Sequence, residues 1–202
     1  MSQHITRGRL GLALGAFGAT ALLLAGCTTS STGGGNDGGD GAGGEIIVGT
    51  TDKITSLDPA GSYDNGSFAV MNQVYPFLLN STYGTAEVTP DIAESAEFTS
   101  PTEYTVKLKS GLTFANGNEL TSSDVKFSFD RMVAINDPNG PASLLGNLES
   151  VEAPDDTTVV FTLKNGDDQI WPLILSSPAA PIIDEDVFSA DAITSDDDIV
   201  AG

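Results

Sequence analysis

The chain has 202 residues, 28 of them Asp or Glu against 8 Lys or Arg, for a formal net charge of −20. That sign repels phosphate backbones and anionic headgroups, which argues against nucleic acid and against peripheral lipid binding. Cys27 and His4 are the only cysteine and histidine, so a disulfide framework is excluded.

Arg7 and Arg9 precede residues 10–25, a stretch without charge and rich in Leu, Ala and Gly. This is the charged head and apolar middle of a secretory signal, too short to span a bilayer. It ends in Leu24-Ala25-Gly26-Cys27, which resembles the bacterial lipobox, so residues 1–27 are expected to be a lipoprotein signal peptide with Cys27 as the acylated anchor. Removing Arg7 and Arg9 leaves 6 basic residues against 28 acids, a net charge near −22. We read that acidity as solubility at a cell surface rather than as cation capture. Residues 28–44 contain no large apolar side chain and are expected to be a flexible Gly/Ser-rich tether, reaching some 20 Å at about 5–6 Å times the square root of its length. Its glycines lack the strand and helix that a phosphate-cradling loop requires.

The folded part is expected over residues 45–202. The β-branched run at 45–50 predicts a buried strand. A polar loop follows through Leu57-Asp58-Pro59 to Gly66. Phe68, Val70, Met71, Val74, Tyr75 and Leu78 then recur at helical intervals, predicting a helix over 67–80, packed on the first strand and ended or kinked at Pro76. Residues 104–108 and 159–163 alternate apolar with polar side chains, as half-buried antiparallel strands do, with turn signals at Asn116-Gly117 and Asn165-Gly166. Thr121, three residues before Asp124, predicts a capped helix start, with Val125, Phe127, Phe129, Met132 and Val133 as its apolar side. A helical turn is expected near 168–175, a short strand at 181–183 and an acidic tail beyond.

Without the signal no histidine remains, which removes a Ser-His-Asp triad, a Cys-His dyad and histidine-ligated zinc. The acid clusters at 155–156, 167–168, 184–186 and 196–198 lack EF-hand spacing and read as solvated charge, although paired carboxylates are what a glycoside hydrolase would use. Most aromatic residues are assigned to the core. Tyr63 differs because it lies in the polar, glycine-flanked loop 61–66, where binding groups concentrate.

In order, Leu57-Asp58-Pro59, the segment 74–78, the segment 88–95, residues 104–117 and residues 120–129 resemble the N-terminal part of the extracellular solute-binding proteins of family 5, the oligopeptide, dipeptide and nickel receptors of ABC importers. Pro76 stands where the family usually has Glu, Ile92 where Leu is common, and Ala115-Asn116 where His or Ser with Asp is common. The resemblance implies an α/β fold, periplasmic-binding-protein-like (type II, large cluster C form). The expected content is an incomplete first lobe with a mixed sheet and packed helices, since relatives are about twice this length or more. It implies a monomeric receptor, not an enzyme, with neither cofactor nor metal. The protein would be exported and held at the outer face of the cytoplasmic membrane by lipid alone, passing a peptide or small solute to permease subunits. In peptide-binding relatives the loop after Leu-Asp-Pro pairs its backbone with the ligand, and here it maps to Tyr63, Asp64 and Asn65. The alternatives are an anchored carboxylate-dependent hydrolase and a surface sensory or adhesion module on the same fold.

Overall fold

The structure, a computed structural model, describes residues 47–201. The signal peptide with Cys27, the tether at 28–44 and the first two residues of the strand expected at 45–50 lie outside the described residues.

Four strands make the main sheet, in the order β3-β4-β6-β5: β3 (Ala93–Ser100), β4 (Glu103–Leu108), β5 (Leu148–Asp155) and β6 (Thr158–Leu163). A two-residue link joins β3 to β4 and another joins β5 to β6, and so short a link can only join antiparallel neighbours. Between them β4 pairs antiparallel with β6, with Tyr104 opposite Phe161 and Val106 opposite Val159. All sheet pairs among the described residues are antiparallel, including the small hairpin of β1 (Leu79–Ser81) and β2 (Val88–Pro90), which corrects the expected mixed sheet. The predicted alternation holds: Tyr104, Val106 and Leu108 are buried on one face of β4, and Val159, Phe161 and Leu163 on the same face of β6.

Helix α2 (Ser122–Ile135) lies across β5 and β6 and closes that core. Val125, Phe129 and Met132 enter it, with Phe129 edge-on to Phe161 at 5.0 Å between ring centroids. Phe127 is only half-buried and Val133 is 49% exposed, so the apolar side is narrower than expected. The polar residues Ser122, Asp124, Ser128 and Arg131 make up the rest of the buried face. Beyond Phe161, Trp171 of the short helix α3 (Trp171–Leu175) completes an aromatic row at 5.5 Å.

Helix α1 spans Asn65–Val74, starting earlier and ending sooner than its periodicity suggested. Tyr75 is extended (φ −100°, ψ 144°), the conformation that a following proline enforces, so Leu78 reaches the core from outside the helix. The strand expected at 45–50 is not formed over 47–50: Ile47 and Val48 are 84% and 79% exposed and unpaired. A β-branched run becomes a strand only beside a partner ladder, and no described segment supplies one. Instead of a strand, residues 53–54 pass beside α1, so close that a Cβ on Gly66 would stand 2.1 Å from the Lys53 carbonyl oxygen. The strand expected at 181–183 reduces to one antiparallel bridge between Phe77 and Pro181, with the Ile182 amide donating to Pro76 O. The acidic tail forms α4 (Asp196–Ala201).

Candidate functional site

The loop singled out by sequence lies between a 3-10 turn at Pro59–Gly61 and the start of α1. Asp64 is the N-cap of α1: its carboxylate accepts from the Ser67 amide and hydroxyl, both at 2.9 Å, and from the Thr55 hydroxyl. Burial alone would raise its pKa, but these hydrogen bonds outweigh it and hold the carboxyl below its ordinary value. Asn65 is the first residue of the helix and exposed. Tyr63 is 54% exposed, its ring edge-on to Phe68 at 5.5 Å. The N–H and C=O of Tyr63 and the N–H of Asp64 pair with no other described residue.

Tyr63 and Phe68 form one wall of a cleft of about 200 Å³ whose other walls are Leu144, Ile170, Leu173 and Pro178. No charged side chain lines it. Asp64 and Asn65 are not among its lining residues, so the structure brings only Tyr63 of the three to the cleft. Sequence reasoning missed the opposite wall. The available signal was α3 with its N-cap Ile170: Trp171 and Leu175 are buried one turn apart while Ile170 and Leu173 stay 62% and 38% exposed. A short helix apolar on both faces has a second surface to cover. On the other side of Pro178 a larger groove of about 790 Å³ runs between α1 and the β1-β2 hairpin, lined by Asn72, Gln73, Tyr75, Asn80 and the fully exposed Tyr83.

Behind the loop, Asp58 and Arg131 form a buried ion pair, Nη1 to Oδ1 at 2.8 Å and Nη2 to Oδ2 at 2.5 Å. Asp58 also caps the 3-10 turn through the Ala60 amide and accepts from the Thr194 amide at 2.7 Å. Arg131 lies 5.5 Å from the Phe188 ring centroid, and Phe188 packs on Tyr75. Burial, reinforced by the negative charges of Asp58 and Asp196, pushes the Tyr75 hydroxyl well above its usual range, so it stays a donor, to Leu57 O at 2.9 Å.

The acid clusters were expected to be solvated, and Asp184 departs from this. It is 6% exposed and accepts from the side-chain amides of Asn116 and Asn118 and from the Asp186 amide. Asp155 and Asp168 serve their own turns, and the Asp196–Asp198 run is exposed in α4. Among the described residues no three His, Cys, Asp or Glu side chains converge as metal ligands, and no helix is long and apolar enough to cross a membrane. The geometry therefore offers an apolar cleft beside unpaired backbone groups, which suits binding an extended ligand.

Known proteins share this fold. The family model of bacterial extracellular solute-binding proteins, family 5 Middle, matches residues 87–201. The probable D,D-dipeptide-binding periplasmic protein DdpA of Escherichia coli is 32% identical over 123 residues, 58% of this chain and 23% of its own. The oligopeptide-binding protein AppA of Bacillus subtilis is 33% identical over 138 residues, 68% of this chain and 25% of its own. The AppA structure in complex with a nonapeptide superposes with a TM-score of 0.64 at 29% identity, covering 71% of this chain and 28% of AppA. AgaA of Agrobacterium tumefaciens, in complex with agropinic acid, gives 0.56 at 29% identity over 65% of this chain and 26% of its own. The chain thus spans about a quarter of the length of the curated relatives it matches. The family consists of solute-binding proteins rather than enzymes, and by its matched segment, its fold and these relatives the chain belongs to the bacterial extracellular solute-binding proteins, family 5.

Proposed function

We propose that this chain forms part of the substrate receptor of an ABC importer, that it is not an enzyme, and that it captures a peptide or a similarly extended small solute outside the cell for delivery to permease subunits. The observation that carries this reading is the Tyr63 cleft. Its apolar walls would accept one apolar side chain, and the N–H and C=O of Tyr63 and the N–H of Asp64, which pair with no other described residue, remain available to an extended ligand backbone. Asp64 and Asn65 then contribute through their main chain, Asp64's carboxylate being committed to the helix cap. The ligands bound in the related structures, a nonapeptide in AppA and agropinic acid in AgaA, bracket the class. The lipobox-like Leu24-Ala25-Gly26-Cys27 supports anchoring through Cys27, with residues 28–44 as tether, and the protein works as a monomer at the outer face of the cytoplasmic membrane.

Calorimetry with trileucine and triglycine on the longest natural polypeptide containing this chain tests the reading. Trileucine is expected to bind more tightly, and Tyr63→Ala to weaken it about tenfold, the loss of one well-packed aromatic contact. Saturable binding of trileucine unaffected by Tyr63→Ala would move the ligand site away from this cleft. Binding of neither peptide would remove peptides as the ligand class.

A further inference from the structure

Three segments far apart in sequence meet at Asp58. Its two carboxylate oxygens receive four N–H groups: two from Arg131, one from Ala60 and one from Thr194. Arg131 in turn donates to the carbonyls of Ser189 and Ala192, so all of its directed hydrogen bonding is spent on loops. Both side chains are essentially inaccessible, at 1% and 0% exposure. Buried ion pairs are often no more stabilising than apolar residues of the same volume, so stability alone does not account for this one. What a forked guanidinium adds over an apolar contact is direction.

That direction is passed to the Tyr63 loop. Asp58 caps the 3-10 turn Pro59–Gly61, the Ser62 hydroxyl donates to Asp58 O at 3.2 Å, and Tyr63 follows immediately. The loop after α2 clamps the same turn, since a Cβ on Gly140 would stand 2.0 Å from Ala60 O. Ile193 packs on Gly61 from the opposite segment. Arg131 itself does not line the Tyr63 cleft.

We propose that Arg131 is a positioning residue for ligand capture: through Asp58 it holds the 3-10 turn so that Tyr63 lines the α3 cleft before ligand arrives. This rests on the reading of that cleft as the ligand site. A loop that leaves its competent arrangement lowers apparent affinity by the competent fraction. The loss then falls on association, while the bound complex dissociates at its former rate.

The test uses the longest natural polypeptide containing this chain and the double variant Asp58→Asn/Arg131→Met, which leaves no unpaired buried charge. Arg131→Lys, which keeps the charge without the fork, is the companion. Amide hydrogen exchange in the absence of ligand is expected to show lost protection at Ala60, Gly61 and Thr194, with the amides of β4 and β6 unchanged. Trileucine association is expected to slow about tenfold at constant dissociation rate, the signature of a competent fraction near one tenth. Arg131→Lys should show the same pattern in weaker form. Retained protection at Ala60 and Gly61 in the folded double variant overturns the proposal, and so does protection lost evenly across the sheet, which reduces the pair to general stability. If the wild-type protein binds no trileucine, the ligand reading fails, and the exchange pattern alone decides whether the pair orders the loop.

Discussion

Asp64 illustrates how one side chain can be legible in position and hidden in role. The sequence marks it as a loop acid next to Tyr63, yet the structure spends its carboxylate on the Ser67 amide, the Ser67 hydroxyl and the Thr55 hydroxyl. Those bonds lower its pKa from 3.8 despite burial, and Asn116 and Asn118 do the same for Asp184. A carboxyl whose folded pKa lies below its unfolded value stabilises the fold fully above that unfolded value and ceases to do so as pH falls through the folded one. Stability is therefore expected to decline below about pH 4, the ordinary carboxyl range. Asp64→Asn should lower the urea midpoint at pH 7 and make its fall between pH 5 and 3 shallower than in wild type. An equally steep fall in both proteins would remove Asp64 from the acid response. Arg131 was illegible for a related reason: a cation in an amphipathic run reads as a solvated residue until its partner, 73 positions away, is seen.

At the scale of elements, local chemistry was readable and long-range pairing was not. Thr121 and Asp124 form a reciprocal capping box: the Thr121 side chain accepts from the first helical turn, and the Asp124 carboxylate accepts from the Thr121 amide at 2.8 Å. Thr121→Ala is expected to cost about 1 kcal/mol, read as a lower midpoint in urea denaturation without change of slope. An effect near zero would mean that Asp124 alone holds the helix start. Strands β4 and β6 were visible because two-residue alternation is a local pattern. The run at 45–50 also has strand composition, yet its described part, 47–50, forms no strand, because pairing depends on a neighbour that composition does not reveal. Helix α1 ended early for a reason the sequence did contain, the constraint Pro76 imposes on Tyr75.

For the molecule as a whole, family membership was carried by ordered motifs, whereas the cleft depends on residues 63–68, 144 and 170–179 converging from three segments. None of those segments signals the others. The proposed anchoring also belongs to this scale, since the strongly acidic chain gains nothing from anionic headgroups and would depend on lipid for retention. Cys27→Ser is expected to move the protein from the membrane fraction to the soluble fraction of expressing cells, and continued membrane retention would exclude Cys27 as the anchor. The aromatic row at the centre of the fold has an optical consequence. Trp171 is the only tryptophan in the chain, fully buried against Phe161, and its indole N–H finds no partner among the described residues. Its emission is therefore expected to be that of an indole in apolar surroundings, blue-shifted from that of the unfolded chain. Ile170, just before α3, and Leu173 within it line the cleft, so this one fluorophore is expected to report the integrity of the core and, through the proposed binding at the cleft, the arrival of ligand in a single spectrum.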